Sequence, residues 1–155
     1  GHRKEVSELL DKKEHSEKCG TACYKCLQRY GNQRFHGLLD WRLALDSLTL
    51  FVDRRFDAGF SSSVTSLGMK DWESRLQAAR ELLFLIINDT SARIITVGSG
   101  PTIMIESPKR KEAYVFCHPF WNVEELIKKC STSYKLLPLD LFSFVRRPMG
   151  TLKAV

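Results

Sequence analysis

The sequence predicts an α+β fold, with helices around a cysteine knuckle packed on a small, mainly antiparallel sheet. Three observations predict it. Apolar residues recur at helical spacing over most of the first 90 residues. Cys19, Cys23 and Cys26 interrupt that pattern within one short segment. From Arg93 onward the period shortens to β-rich stretches separated by turn residues. Helices first and strands afterwards is the α+β order.

The elements follow in chain order. Val6 to Lys18 reads as a charged helix, with Val6, Leu9 and Leu10 on one face. The cysteine loop comes next, broken by Gly31-Asn32 and Gly37, so the thiols sit on an irregular knuckle between helices. Leu38, Leu39, Leu43, Leu45, Leu48, Phe51 and Val52 mark a long amphipathic helix ending near Arg55. "DAGFSSSVTSLGMKD" is a Ser/Gly-rich loop. Asp71 to Asn88 is helix again, Asp71 its N-cap, with Trp72, Leu76, Ala79, Leu83 and Ile86 or Ile87 facing inward. "RIITVGSG", "PTIMIES" and "AYVFCHPF" form a three-strand meander, the last two joined by the basic turn "SPKRKE". A short helix from Val123 to Cys130 and the tail "LPLDLFSFVRRP" close the chain.

At 155 residues one domain is the expectation, with a helical, metal-binding part over 1–90 and a β-rich part over 91–155. The Gly-His start without Met reads as a tag-cleavage remnant and the chain as a C-terminal fragment of a larger protein. Hydrophobic content of 43% places it among globular proteins, and its longest apolar run, "LLFLIIN", is too short to span a bilayer. A net charge of +6 favours an acidic partner, nucleic acid before a membrane surface. Five cysteines, three of them clustered, suit a metal site in a reducing, cytoplasmic setting better than a disulfide framework.

The Cys19-x3-Cys23-x2-Cys26 spacing lets one loop fold three thiolates around a tetrahedral ion about 2.3 Å away. Zinc suits such donors, needs no redox cycling and as a structural ion takes four protein ligands. His36 ranks first as the fourth ligand, ahead of His15 and of a residue upstream of the chain. Cys117-His118 would need the tertiary fold to deliver it. An iron–sulfur cluster is the other metal option, disfavoured with three cysteines. Cys117 and Cys130 read as small buried hydrophobes.

"ACYKCLQRYGNQRFHGLLDWRLAL" resembles the cysteine signature of the zinc-binding C-terminal domain of MrfA-like superfamily 2 DNA helicases, in which an "ACY-x-CL-x-x-Y-x-NQ" loop precedes "LLD-x-R-x-AL". "VFCHPFW" and "LFSFVRRP" are similar to the "HPLW" and "F-x-x-x-RRP" segments of such helicases. Glu17 and Lys18 depart from the family, many members of which carry a further cysteine there. The resemblance implies an accessory module of an ATP-dependent DNA-processing enzyme, including helicases of antiphage systems, with the motor elsewhere.

Arg29, Arg34, Arg42, Arg54, Arg55 and the Lys109-Arg110-Lys111 turn are the expected phosphate contacts, with Tyr30, Phe35 and Trp41 interleaved as stacking platforms for unpaired bases. Single-stranded DNA is the favoured partner, with docking to helicase motor domains as the protein-binding alternative. Asn32 and Gln33 are expected to brace the knuckle, and Asp40 to cap the next helix or orient His36. "GSGPT" lacks the Lys-Ser/Thr of a phosphate loop, so the segment hydrolyses no ATP. A metal-dependent nuclease built on Asp89, Glu106 and Lys109 is the competing enzyme class, weakened by the Glu106-x2-Lys109 spacing and by Pro108.

Overall fold

The computed structural model describes residues 5, 8, 10, 12–61 and 67–155. Val6 and Leu9 of the first expected helix, and the loop at 62–66, lie outside the described residues. The fold is α+β, in two compact units, Gly1–Phe56 and Asp57–Val155. The division between units at Phe56 falls inside the helical part of the chain, and the change from helix to strand comes between Ile87 and Arg93. Among the described residues no helix is long and apolar enough to cross a membrane.

In the first unit a four-residue helix, α1 (Lys13–Ser16), leads into the cysteine loop. A 3₁₀ segment, Tyr30–Leu38, follows and buries none of its side chains. Helix α2 (Trp41–Val52) starts where Asp40, extended at φ −141°, accepts a hydrogen bond from the Arg42 backbone N–H. This is the capping role expected of Asp40. The buried face of α2 is Trp41, Arg42, Leu45 and Asp46. Leu48, Phe51 and Val52, expected inside, are exposed. The reason lies in the loop before the helix: the Trp41 backbone N–H donates to Thr21 O at 2.9 Å and its indole N–H to Cys19 O at 3.4 Å. Those bonds turn the N-terminal end of α2 onto the knuckle, whichever face is more apolar.

In the second unit α3 (Trp72–Ile87) buries Trp72, Leu76, Ala79, Leu83 and Ile87, the stripe its periodicity specified. It stops at Asn88, whose left-handed backbone (φ 46°) terminates the ladder. Four strands follow: β1 (Arg93–Thr96), β2 (Ile103–Ser107), β3 (Glu112–Cys117) and, after helix α4 (Val123–Lys129), β4 (Lys135–Asp140). The sheet order is β1-β2-β3-β4, antiparallel except for the β3–β4 pair. Gly98, at φ 54°, supplies the left-handed position in the β1–β2 turn. The helical crossover through α4 is what makes β3 and β4 parallel. Nearly every residue of β3 is buried, which explains its unbroken apolar run.

Helices α5 (Leu141–Arg146) and α6 (Pro148–Lys153) end the chain, and α3 packs against α5. That contact, and the bond from the Trp72 indole N–H to Pro101 O, place α3 with the sheet and set the boundary between units before it.

Candidate metal centre

Four side chains of the first unit converge. His15, Cys19, Cys23 and Cys26 present donor atoms that all lie within 4.8 Å of one another. Sγ of Cys26 is 3.8 Å from Sγ of both Cys19 and Cys23, and Cys23 Sγ is 3.6 Å from His15 Nε2. A tetrahedral ion with bonds of about 2.3 Å to sulfur and about 2.05 Å to nitrogen requires edges of about 3.8 Å between sulfurs and about 3.6 Å from sulfur to nitrogen. The spacing suits coordination and is far too long for a disulfide, and all five cysteines are free thiols.

Local structure sets this geometry. The Cys23 carbonyl accepts from the backbone N–H groups of Cys26 and Gln28, both at 3.0 Å, closing a tight turn between two of the thiols. The Cys23 backbone N–H points at Cys26 Sγ at 3.1 Å, a donor that stabilises a thiolate. His15 lies at the end of α1, and its Nδ1 donates to Leu10 O at 2.8 Å. That bond leaves Nε2 facing the thiols, and the Nδ1 contact is the outer one expected of a metal-ligating histidine. The edge of the same ring rests on Trp41, centroids 5.4 Å apart.

The thiols differ in acidity before any ion binds. Burial, reinforced by hydrogen bonds with Cys23 and Cys26, pushes Cys19 up to about 12. Burial also acts to raise Cys23, yet hydrogen bonds from the Lys25 backbone N–H, and with Cys19, His15 and Cys26, bring it down to about 7. An ion would therefore find one thiolate nearly ready and would have to displace the proton of another.

The ranking of His36 over His15 is corrected. His36 Nε2 lies 3.0 Å from Arg29 O and 2.8 Å from Asn32 Oδ1, and its ring meets Tyr24 edge-on at 5.5 Å. It closes the 3₁₀ segment. Asn32 does brace the knuckle, accepting from Arg29 N at 2.7 Å and donating to Leu27 O at 2.9 Å. Cys117 and His118 belong to the core of the second unit, where His118 is packed among Trp72, Phe120, Trp121 and Phe142. Burial, with the Asp140 carboxylate beside it, pushes the Cys117 thiol up to about 12, as expected of an inert core cysteine.

The expected nucleic-acid contacts separate into two sets. Tyr30 is 85% exposed and Phe35 48%, with the Arg34 guanidinium 5.2 Å above the Phe35 ring. Arg29 is exposed and donates to Tyr24 O and Gln28 O. Trp41 and Arg42 are corrected to structural residues. Trp41 is fully buried, and Arg42, 4.5 Å over its ring, donates to Gly20 O. In the second unit the Lys109-Arg110-Lys111 turn is held to the end of α3: Lys109 Nζ donates to Asn88 O at 3.3 Å and Arg110 to Ile86 O at 3.2 Å. Cations at the last carbonyls of a helix complement its dipole. Sequence reasoning missed that role, although the basic turn itself was visible.

Neither carboxylate of the nuclease alternative is open. Asp89 accepts from Ser91 N, Ser91 Oγ, Ser107 Oγ and Lys109 N, and Glu106 accepts from Thr132 Oγ1 at 2.6 Å. The bonds from Ser107 and Ser91 above all hold the Asp89 carboxyl far below its ordinary value. No family model matches the chain, and no curated protein and no solved structure does.

Proposed function

We propose that this chain is a non-catalytic zinc-binding accessory domain of a helicase-like DNA-processing protein, contributing nucleic-acid binding or docking to the motor core. The observation that carries the zinc reading is the donor tetrahedron of His15, Cys19, Cys23 and Cys26, with edges of 3.6 to 3.8 Å where they are closest. Three sulfurs and one imidazole are a structural zinc set, and four protein ligands leave no position for water or substrate. Zinc bound there would crosslink α1, the cysteine loop and, through Trp41, the start of α2. It would supply rigidity, not reaction chemistry.

Charge and exposed rings support the nucleic-acid part. From Lys18 to Leu39 the chain carries Lys18, Lys25, Arg29 and Arg34 and no carboxylate. Tyr24, Tyr30 and Phe35 are exposed within the same stretch. Cations that neutralise phosphates beside rings that stack bases make up a single-strand binding surface. The helicase context rests on the sequence resemblance.

The test takes the full chain, purified with its metal. Elemental analysis should return one zinc per chain. Titration at low salt should give weak binding to single-stranded DNA, with little sequence preference and an affinity that falls steeply with salt. A folded, metal-free protein indifferent to chelator would refute the zinc reading. A zinc-loaded protein that binds no DNA but retains the motor domains in a pull-down would replace direct contact by docking.

A further inference from the structure

Beside the knuckle lies a cavity of about 530 Å³ that none of the sequence arguments foresaw. It opens between Leu10 and the cysteine loop, and His15, Cys19 and Cys23 form part of its wall. We infer that this cavity takes one nucleotide unit of a single strand, its base against Leu10 and the Tyr24 ring and its phosphate among Lys12, Lys18 and Lys25. The inference deepens the proposed nucleic-acid role and rests on it.

Size, lining and charge each favour that occupant. A volume of a few hundred Å³ is in the range of small-ligand sites. Leu10 and the Tyr24 ring give it an apolar lining, and Tyr24 is 63% exposed, so one face is free to stack. Among the described lining residues the three lysines are exposed and Glu14 supplies the one carboxylate. A zinc ion bound by three thiolates and a neutral imidazole would carry one net negative charge, which together with Glu14 still leaves the described lining residues net positive. Lysine, a compact point charge on a flexible stem, suits a phosphate that approaches at varied angles. An apolar floor with a cationic rim fits a base with its phosphate. It fits an acidic peptide less well, because that offers charge without a planar face.

The experiment uses the zinc-loaded full chain and a short oligothymidylate, with inorganic phosphate, thymidine 5′-monophosphate and a glutamate-rich peptide as competitors. Tyr24→Ala should weaken the oligonucleotide by about tenfold, and Tyr24→Phe, which keeps the ring, should bind like the parent chain. Lys18→Ala with Lys25→Ala should lower the slope of log affinity against log salt by about 1.4, from roughly 0.7 per lost contact. Glu14→Gln should tighten binding. Each variant is checked for one zinc per chain, so that loss of the knuckle is not read as loss of the pocket. The monophosphate should compete better than inorganic phosphate. Oligonucleotide binding unchanged by Tyr24→Ala and by the double lysine variant overturns the cavity while leaving the nucleic-acid role intact. Absence of binding by the parent chain at low salt overturns both. Equal displacement by the acidic peptide at matched charge also overturns it, since charge alone would then explain the site.

Discussion

The two units hold themselves together by different means. Among its described residues Gly1–Phe56 buries only Leu10, Cys19, Trp41, Leu45 and Phe56 as hydrophobic side chains, and one of these is a thiol. Asp57–Val155 buries most of β2 and β3, the inner stripe of α3, and Leu141, Phe142 and Phe144 of α5. Fully burying one such side chain contributes about 1.5–3 kcal/mol, so the described core of the second unit supplies far more hydrophobic stabilisation than that of the first. A segment of that size with so small a core normally needs a staple. The contrast says where a metal on the proposed site would matter: it would add to the folding of the first unit and not to that of the second.

The largest effect that could break this contrast is removal of the metal. Apparent binding energies of structural zinc sites are about 10–16 kcal/mol near neutral pH, and in such sites binding energy is folding energy. Chelation, Cys23→Ser or His15→Ala should therefore unfold the first unit and spare the second. Segment-resolved hydrogen exchange on the full chain reads both at once. Protection should vanish in 12–52 and persist in β2, β3 and α3. Simultaneous loss in both units would end the comparison. His36→Ala should retain the metal, because its ring nitrogen serves Arg29 O and Asn32 Oδ1 instead.

Next in size is the converse experiment, Phe116→Ala. Phe116 is fully buried in β3 and packs against Phe144 at 5.5 Å between ring centroids. Deleting a buried phenyl ring costs about 3–5 kcal/mol through lost transfer energy and the cavity left behind. Chemical denaturation should show that loss in the second unit, with the zinc content of the chain unchanged. A matching loss of metal would show that the two units fold as one.

A smaller effect separates the units by pH. Ser107 and Ser91 hold Asp89 ionised, so its folded value lies below the roughly 3.9 of an unfolded aspartate. A depressed carboxylate contributes stability that is fully present above the unfolded value and is lost as pH falls below it toward the folded one. The second unit should thus weaken progressively below about pH 4, and Asp89→Asn should flatten that part of its profile while lowering its stability near neutrality. If the first unit holds a metal it should fail sooner, at milder acidity, because metal affinity falls with falling pH. Thermal unfolding followed at a series of pH values separates the two limbs.

What could be read from the sequence tracks the same division. In the second unit burial follows periodicity, so Trp72, Leu76, Ala79, Leu83 and Ile87 and the three strands of the meander were legible. The fourth strand was not. Its pairing with β3 is parallel and non-local, and Pro138 argues against a strand. The proline is tolerated because β4 is the last strand of the sheet, where one edge makes no ladder bonds. In the first unit polar contacts decide burial, so apolar spacing misled. Arg42 goes inward because Gly20 O receives its guanidinium, while Phe51 stays out at 87% exposure. The three thiols were plain from their spacing. The choice between His15 and His36 was not, since both flank the loop and only tertiary contacts decide it: the Leu10 carbonyl turns His15 onto the thiols, while Arg29 O and Asn32 Oδ1 take up His36.

The smallest expected effect compares one substitution in both units. Asn122 caps α4 by accepting from the backbone N–H groups of Glu124 and Glu125, at 3.1 and 3.2 Å, on an exposed helix start. Asp40 caps α2 by accepting from Arg42 N at 3.0 Å, but is buried. Replacing a capping side chain by alanine costs about 1 kcal/mol when the freed N–H groups can turn to water. Asn122→Ala should cost about that, with no change in metal retention, because α4 leans on a core that stays formed. Asp40→Ala should cost more, because a buried donor that loses its acceptor is not rescued by solvent. It should also quicken zinc transfer to a chelator, since the cap sets the start of α2, where Trp41 holds Cys19 O and touches the His15 ring. Equal stability losses for the two variants, with equal rates of zinc release, would mean that the first unit, like the second, stands on its packing and not on its metal.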